Sequence, residues 1–190
     1  PMNALSSLKA GLLIFLMFDP SAHAQGIVYH FGQSAAETCA EHVANPEERS
    51  ARILRLCEDA LHAPDLTPAS YAATLTNTGI VKMRRGDLDA ALANFQTAHA
   101  EDAASPDVAI NLGAVLVRLG RFDEALDVLA DPQAISGERR HVAYLNRAIA
   151  YWALEDVAHA HEDLTVATAL KPDYAAAWEI LQHFQVADAN

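Results

Sequence analysis

Positive charge is what this chain has least of. Its 13 Lys and Arg face 25 Asp and Glu, a formal net charge of −12, so phosphate backbones and anionic lipid surfaces repel it. No basic run exceeds Arg84-Arg85 or Arg139-Arg140, which sets nucleic acid aside as a partner. Aromatics make up only 7% and β-branched residues are thin, while alanine and leucine supply much of the 52% apolar content. That balance argues against both disorder and a sheet protein, and favours an all-α chain. No Gly-rich phosphate loop, G-x-S-x-G or H-E-x-x-H occurs, so nothing signals catalysis or a cofactor and the expectation is a non-enzyme. Among nine histidines the densest cluster is His159-Ala160-His161-Glu162-Asp163. Residues two apart on a helix diverge, and His159 with Asp163 gives two ligands where a structural zinc needs about four. No metal site is expected.

A membrane-spanning run is missing too. The apolar stretch Ala10 to Phe18 is roughly half of what a spanning helix needs. It lies between Lys9 and Ala22-His23-Ala24, and the three features together make a secretory signal peptide. Pro1 precedes Met2. Cleavage after Ala24 would leave Gln25 first, and no cysteine near that site supports a lipid anchor. Losing residues 1–24 removes Lys9 and Asp19, so the net charge is unchanged. The expected product is soluble outside the cytoplasm, periplasmic or secreted, with no stable membrane insertion. Residues 25–33, including Ile27-Val28-Tyr29, form an extended segment whose purpose is open: groove filling and self-association both fit.

Cysteine is limited to Cys39 and Cys57, an even pair that suits a disulfide in an oxidising compartment. The absence of C-x-x-C spacing makes the pair structural rather than redox-active. Each sits in a helical stretch, Ser34 to Ala44 and Pro46 to Ala63, giving a hairpin over 34–66. Asn45 reads as N-cap, Pro46 as the first helical residue and Glu48 as the capping-box partner. Closing this loop contributes about 3 kcal/mol in the chain-entropy model. The cysteines lie six residues before and twelve after Asn45, an unequal lever that leaves a looser connection open.

What the chain does have is a period. Asn77, Gly79, Gly86, Ala91 and Leu92 recur as Asn111, Gly113, Gly120, Ala125 and Leu126, each 34 residues on. A third copy follows 35 residues after the second, with Asn146, Ala148, Ala160, Leu164, Ala167 and Pro172. The extra residue falls in the loop Asp131 to Gly137, where insertion costs little. Small residues at 79, 113 and 148 and at 91, 125 and 160 let paired helices approach closely, and Phe95, Leu129 and Leu164 fill the space between pairs. Thr67-Pro68 and Ser105-Pro106 mark helix starts. Asn-x-Gly in one helix, Gly-Asp/Arg-apolar-Asp at the turn, then Ala-Leu and a large apolar residue resemble the tetratricopeptide-repeat (TPR) family from Pro68 to about Val186. The third copy departs from the pattern, with Glu155 at the turn glycine.

The resemblance implies an all-α, right-handed α-solenoid. Its three helix pairs span about 72–105, 106–140 and 141–174 within a TPR domain of 67–190. The hairpin 34–66 precedes it as a degenerate opening pair, and a capping helix over 173–186 carries the stripe Tyr174, Trp178, Leu181 and Phe184. It also implies that the first helix of each pair lines a hollow face. The inward positions are Ala73, Thr76, Asn77, Ile80, Met83 and Arg84; Asp107, Ile110, Asn111, Ala114, Val117 and Arg118; and Val142, Leu145, Asn146, Ile149, Trp152 and Ala153. Asn77, Asn111 and Asn146 would form an amide ladder able to hold an extended peptide by its backbone, with apolar flanks and Trp152 beside it and Arg84 and Arg118 meeting a carboxylate at the edge. The alternative is that the amides satisfy neighbours and the apolar residues are ordinary packing. TPR domains that clamp a chaperone's C-terminal carboxylate are similar in having basic residues at set inward positions. Here those positions carry Thr76, Ile80, Val142 and Asn146, and only Asn111 agrees. The expected function is a periplasmic adaptor for a protein or extended peptide; a holder or regulator of envelope enzymes, such as cell-wall hydrolases, is the second reading.

Overall fold

Ser34 opens the first helix with a reciprocal cap. Its hydroxyl accepts from the Glu37 N–H at 3.3 Å, while the Glu37 carboxylate accepts from the Ser34 N–H at 3.1 Å. The computed structural model describes residues 34–64, 66–135 and 137–187, with side chains as far as Gln182. The expected leader and the segment 25–33 lie outside the described residues. Every regular element among the described residues is helical: α1 (Ala35–Val43), α2 (Ala51–Ala60), α3 (Pro68–Arg85), α4 (Leu88–Glu101), α5 (Pro106–Arg118), α6 (Phe122–Val128), α7 (Arg140–Ala153), α8 (Val157–Leu170) and α9 (Ala175–Ala187). They fall into two compact units, one ending at Leu119 and the other starting at Gly120.

The opening hairpin differs from expectation at its turn. The second helix starts at Ala51, where the Ser50 hydroxyl accepts from Ile53 N–H, and not at Pro46. Asn45 Oδ1 accepts from Glu47 N–H at 3.0 Å, and Glu48 Oε1 accepts from Ser50 N–H at 2.7 Å. The Asn-Pro-x-Glu run spends its polar side chains on a loop instead of a helix cap. The later start also evens the lever. Cys39 lies four residues before the end of α1 and Cys57 six after the start of α2, and the two are disulfide-bonded with Cα atoms 5.0 Å apart. Both are fully buried, as are Val43 and Ala60.

Both hairpin helices pack on α3, and α3 packs in turn on α4 and α5. Leu75, Ala98 and Val108 form a buried cluster with Leu61 and Tyr71 against it, joining the end of the hairpin to α3, α4 and α5. Thr67 caps α3 by accepting from Ser70 N–H at 3.1 Å, with Pro68 next. Gly86 ends α3 in the left-handed region at φ 90°, and Gly120 takes the same region at φ 73°. The third copy keeps this turn without the glycine: Glu155 has φ 67°, a conformation that costs a side-chain-bearing residue about 1–2 kcal/mol.

In the second unit α6 is only 7 residues long, against 14 for α8. It stops ahead of Asp131-Pro132, where Asp131 Oδ1 accepts from the N–H groups of Gln133 and Ala134. In α9 the expected stripe is corrected. Tyr174, Ala177, Ile180 and Leu181 are buried, but Trp178 faces out and donates its Nε1 proton to Pro172 O at 2.9 Å; the Phe184 side chain lies outside the described residues. No helix among the described residues is long and apolar enough to cross a membrane.

Candidate functional site

The inward positions are mostly packed, not open. In α3, Ala73, Thr76, Asn77, Ile80 and Met83 are buried, as are Ile110, Asn111 and Val117 in α5. In α7, Leu145, Asn146 and Ile149 are buried. Only Arg84, Asp107, Ala114, Arg118, Val142, Trp152 and Ala153 stay partly exposed. The apolar flanks of the expected groove therefore belong to helix packing, and within the first unit the inner helices α3 and α5 pack on each other.

The two arginines are corrected more sharply. Arg84 Nη1 donates to Val43 O at 3.0 Å, Asn45 O at 2.9 Å and Glu48 O at 3.3 Å. It closes the C-terminal end of α1 and does not wait for a carboxylate. Arg118, one repeat later, donates to Met83 O at 3.0 Å, near the C-terminal end of α3. Burial lowers the pKa of both guanidinium groups, which carbonyl dipoles at a helix C-terminus offset. Ala153 ends this series in the third copy.

The three asparagines do not behave alike. Asn111 Nδ2 donates to Asp107 O at 2.8 Å, so its amide is turned onto its own helix. Asn77 Oδ1 and Asn146 Nδ2 are buried with no hydrogen-bond partner. An acceptor and a donor are thus left open at the same repeat position, each costing about 1–3 kcal/mol while unmet.

A polar core between α7 and α8 escaped the sequence reading. Arg147 makes a bidentate pair with Asp163, Nε to Oδ2 at 2.7 Å and Nη2 to Oδ1 at 2.8 Å. Its Nη1 donates to Ala130 O at 2.8 Å, closing the end of the short α6, and the guanidinium lies 5.6 Å and 5.7 Å from the Tyr144 and Tyr151 rings. The Asp163 hydrogen bonds raise the Arg147 pKa. The signal was there to find, since Arg147 occupies the slot that holds Thr78 and Leu112 in the earlier copies. This core also separates His159 from Asp163. His159 instead bonds Asp156 at 2.7 Å and stacks on Tyr151 at 5.0 Å. Among the described residues no group of three His, Cys, Asp or Glu can hold a metal ion.

Against this geometry, residues 82–149 match the tetratricopeptide-repeat family model. Residues 82–149 are thus similar to tetratricopeptide repeats. The first TPR domain of human RPAP3, solved by NMR, superposes with a TM-score of 0.59 at 23% identity, covering 64% of this chain and 94% of that one. The TPR likeness is thus one of fold, an all-α solenoid of helix pairs. No curated protein matches the chain.

Proposed function

We propose that this TPR-like chain is an exported scaffold that holds a partner polypeptide, as an extended segment, against its inner helix α7. The observation that carries the reading is the open hydrogen bonding of Asn146 Nδ2 on α7, the helix that also carries the partly exposed Val142, Trp152 and Ala153. Unmet buried polar atoms call for a partner, and a peptide main chain supplies both a donor and an acceptor. A guest carbonyl seated there accepts the bond that Asn146 leaves unmade. Val142, Trp152 and Ala153, partly exposed inward side chains of the same helix, would give it apolar contact. The Cys39–Cys57 bond and the leader-like residues 1–24 support export.

A photo-reactive side chain at Trp152 or Val142 tests the reading, with one at His161 on α8 as the control. Crosslinks to one defined partner from 142 and 152, but not from 161, are expected, and Asn146→Ala should weaken binding of that partner by about tenfold. Equal crosslinking from 161 sinks the proposal. Crosslinking confined to unfolded chains would favour the envelope-enzyme holder instead.

A further inference from the structure

We propose that acid releases the closing helix α9 from the second unit, with His141 receiving the proton. His141 stands in the first turn of α7 and is 6% exposed. Its Nδ1 lies 2.8 Å from Glu138 O. A carbonyl only accepts, so Nδ1 carries the ring hydrogen and Nε2 is the atom left to protonate. Tyr174 meets the imidazole edge-on, centroids 4.7 Å apart at 84°, and Tyr174 is the residue immediately before α9. This buried ring pair ties the start of α7 to the start of α9.

The surroundings oppose a second proton. Arg139 lies just before α7 and Arg140 opens it, and Lys171 and Asp173 lie on the loop that also carries Tyr174. Burial is the largest effect lowering the His141 pKa, and Lys171 and Arg139 add to it; the Glu138 carbonyl and the Asp173 carboxylate pull the other way without reversing it. The positive end of the α7 dipole adds to the opposition. The sign follows directly. The docked state binds fewer protons than a released one, so docking is strongest above the ordinary histidine range near about 6.5 and weakens as pH falls through it. Release would free the apolar strip Ala177, Ile180 and Leu181, buried when docked, and give the unit an adhesive surface in acid alone.

Amide hydrogen exchange on the intact chain, corrected for intrinsic rates, tests this between about pH 7.5 and about pH 5. Protection over 174–182 should fall by about tenfold while α3 keeps its protection. His141→Phe keeps a buried ring that cannot protonate, and its α9 protection should be flat across the range. Lys171→Glu, an exposed change, should make the native fall shallower. The proposal is overturned by an equal fall in His141→Phe, by an unchanged slope in Lys171→Glu, or by α3 and α9 losing protection together. An NMR titration placing His141 at or above the free-histidine value overturns it independently.

Discussion

The Phe95 ring lies over Gly79 so closely that a Cβ at position 79 would sit 2.6 Å from it. Phe95 is fully buried and has nowhere to retreat. Gly79→Ala should therefore destabilise the first unit by about 1–3 kcal/mol despite its better helix propensity. A urea-unfolding midpoint equal to or above that of the native chain would contradict this packing.

Glu155 offers the opposite sign. Its left-handed backbone is paid in conformational strain that glycine avoids. Glu155→Gly should raise stability by roughly 0.5–1 kcal/mol after the extra unfolded-state entropy of glycine is deducted. Thermal unfolding followed by circular dichroism would register the change as a higher midpoint.

Arg84 should prove structural. Arg84→Met removes a charged donor from three carbonyls, at a cost of about 2–3 kcal/mol. Lysine cannot reproduce the planar fork, so Arg84→Lys should recover little of the loss. Hydrogen exchange over 35–60 should rise in both variants, and unchanged exchange there would show that the arginine is not what holds the hairpin.

Arg147 and Asp163 should couple strongly. Breaking this largely buried pair with either Arg147→Met or Asp163→Asn should cost about 3–5 kcal/mol, and the double substitution much less than the sum. A double-mutant cycle by chemical denaturation reads the coupling directly, and additive losses would rule it out.

Removing the Cys39–Cys57 bridge, which closes a span of 18 residues, should lower stability by about 3 kcal/mol. The paired substitution Cys39→Ala with Cys57→Ala avoids leaving a free thiol. An unaltered denaturation midpoint would mean that the helices hold each other without the bond.

The repeat was legible because its cues are local and recur in register. Gly86 and Gly120, the small residues at 79 and 113, and the Thr-Pro start of α3 each act within a few residues of where they are read. The hairpin turn misled for the same reason: Asn45, Pro46 and Glu48 offer the local chemistry of a helix start, and only tertiary placement decides that Ser50 takes that role. Arg84 was misread because its acceptors lie 36 to 41 residues upstream, a distance no helical period reports. The inward positions fall on α3, α5 and α7. How far α3 and α5 close over Ile80 and Ile110 depends on interhelical spacing, which residue patterns do not encode.

The bonds from Arg118 to Met83 and from Arg84 to Val43 both run backwards along the chain. Within the first unit, each inner helix is thus fastened by its successor. Fraying at the front end leaves the later fastenings intact, whereas loosening α5 undoes the tie on α3, and then the tie on α1. Damage in this unit spreads toward the N-terminus, so trimming the hairpin should be far better tolerated than cutting back through α5.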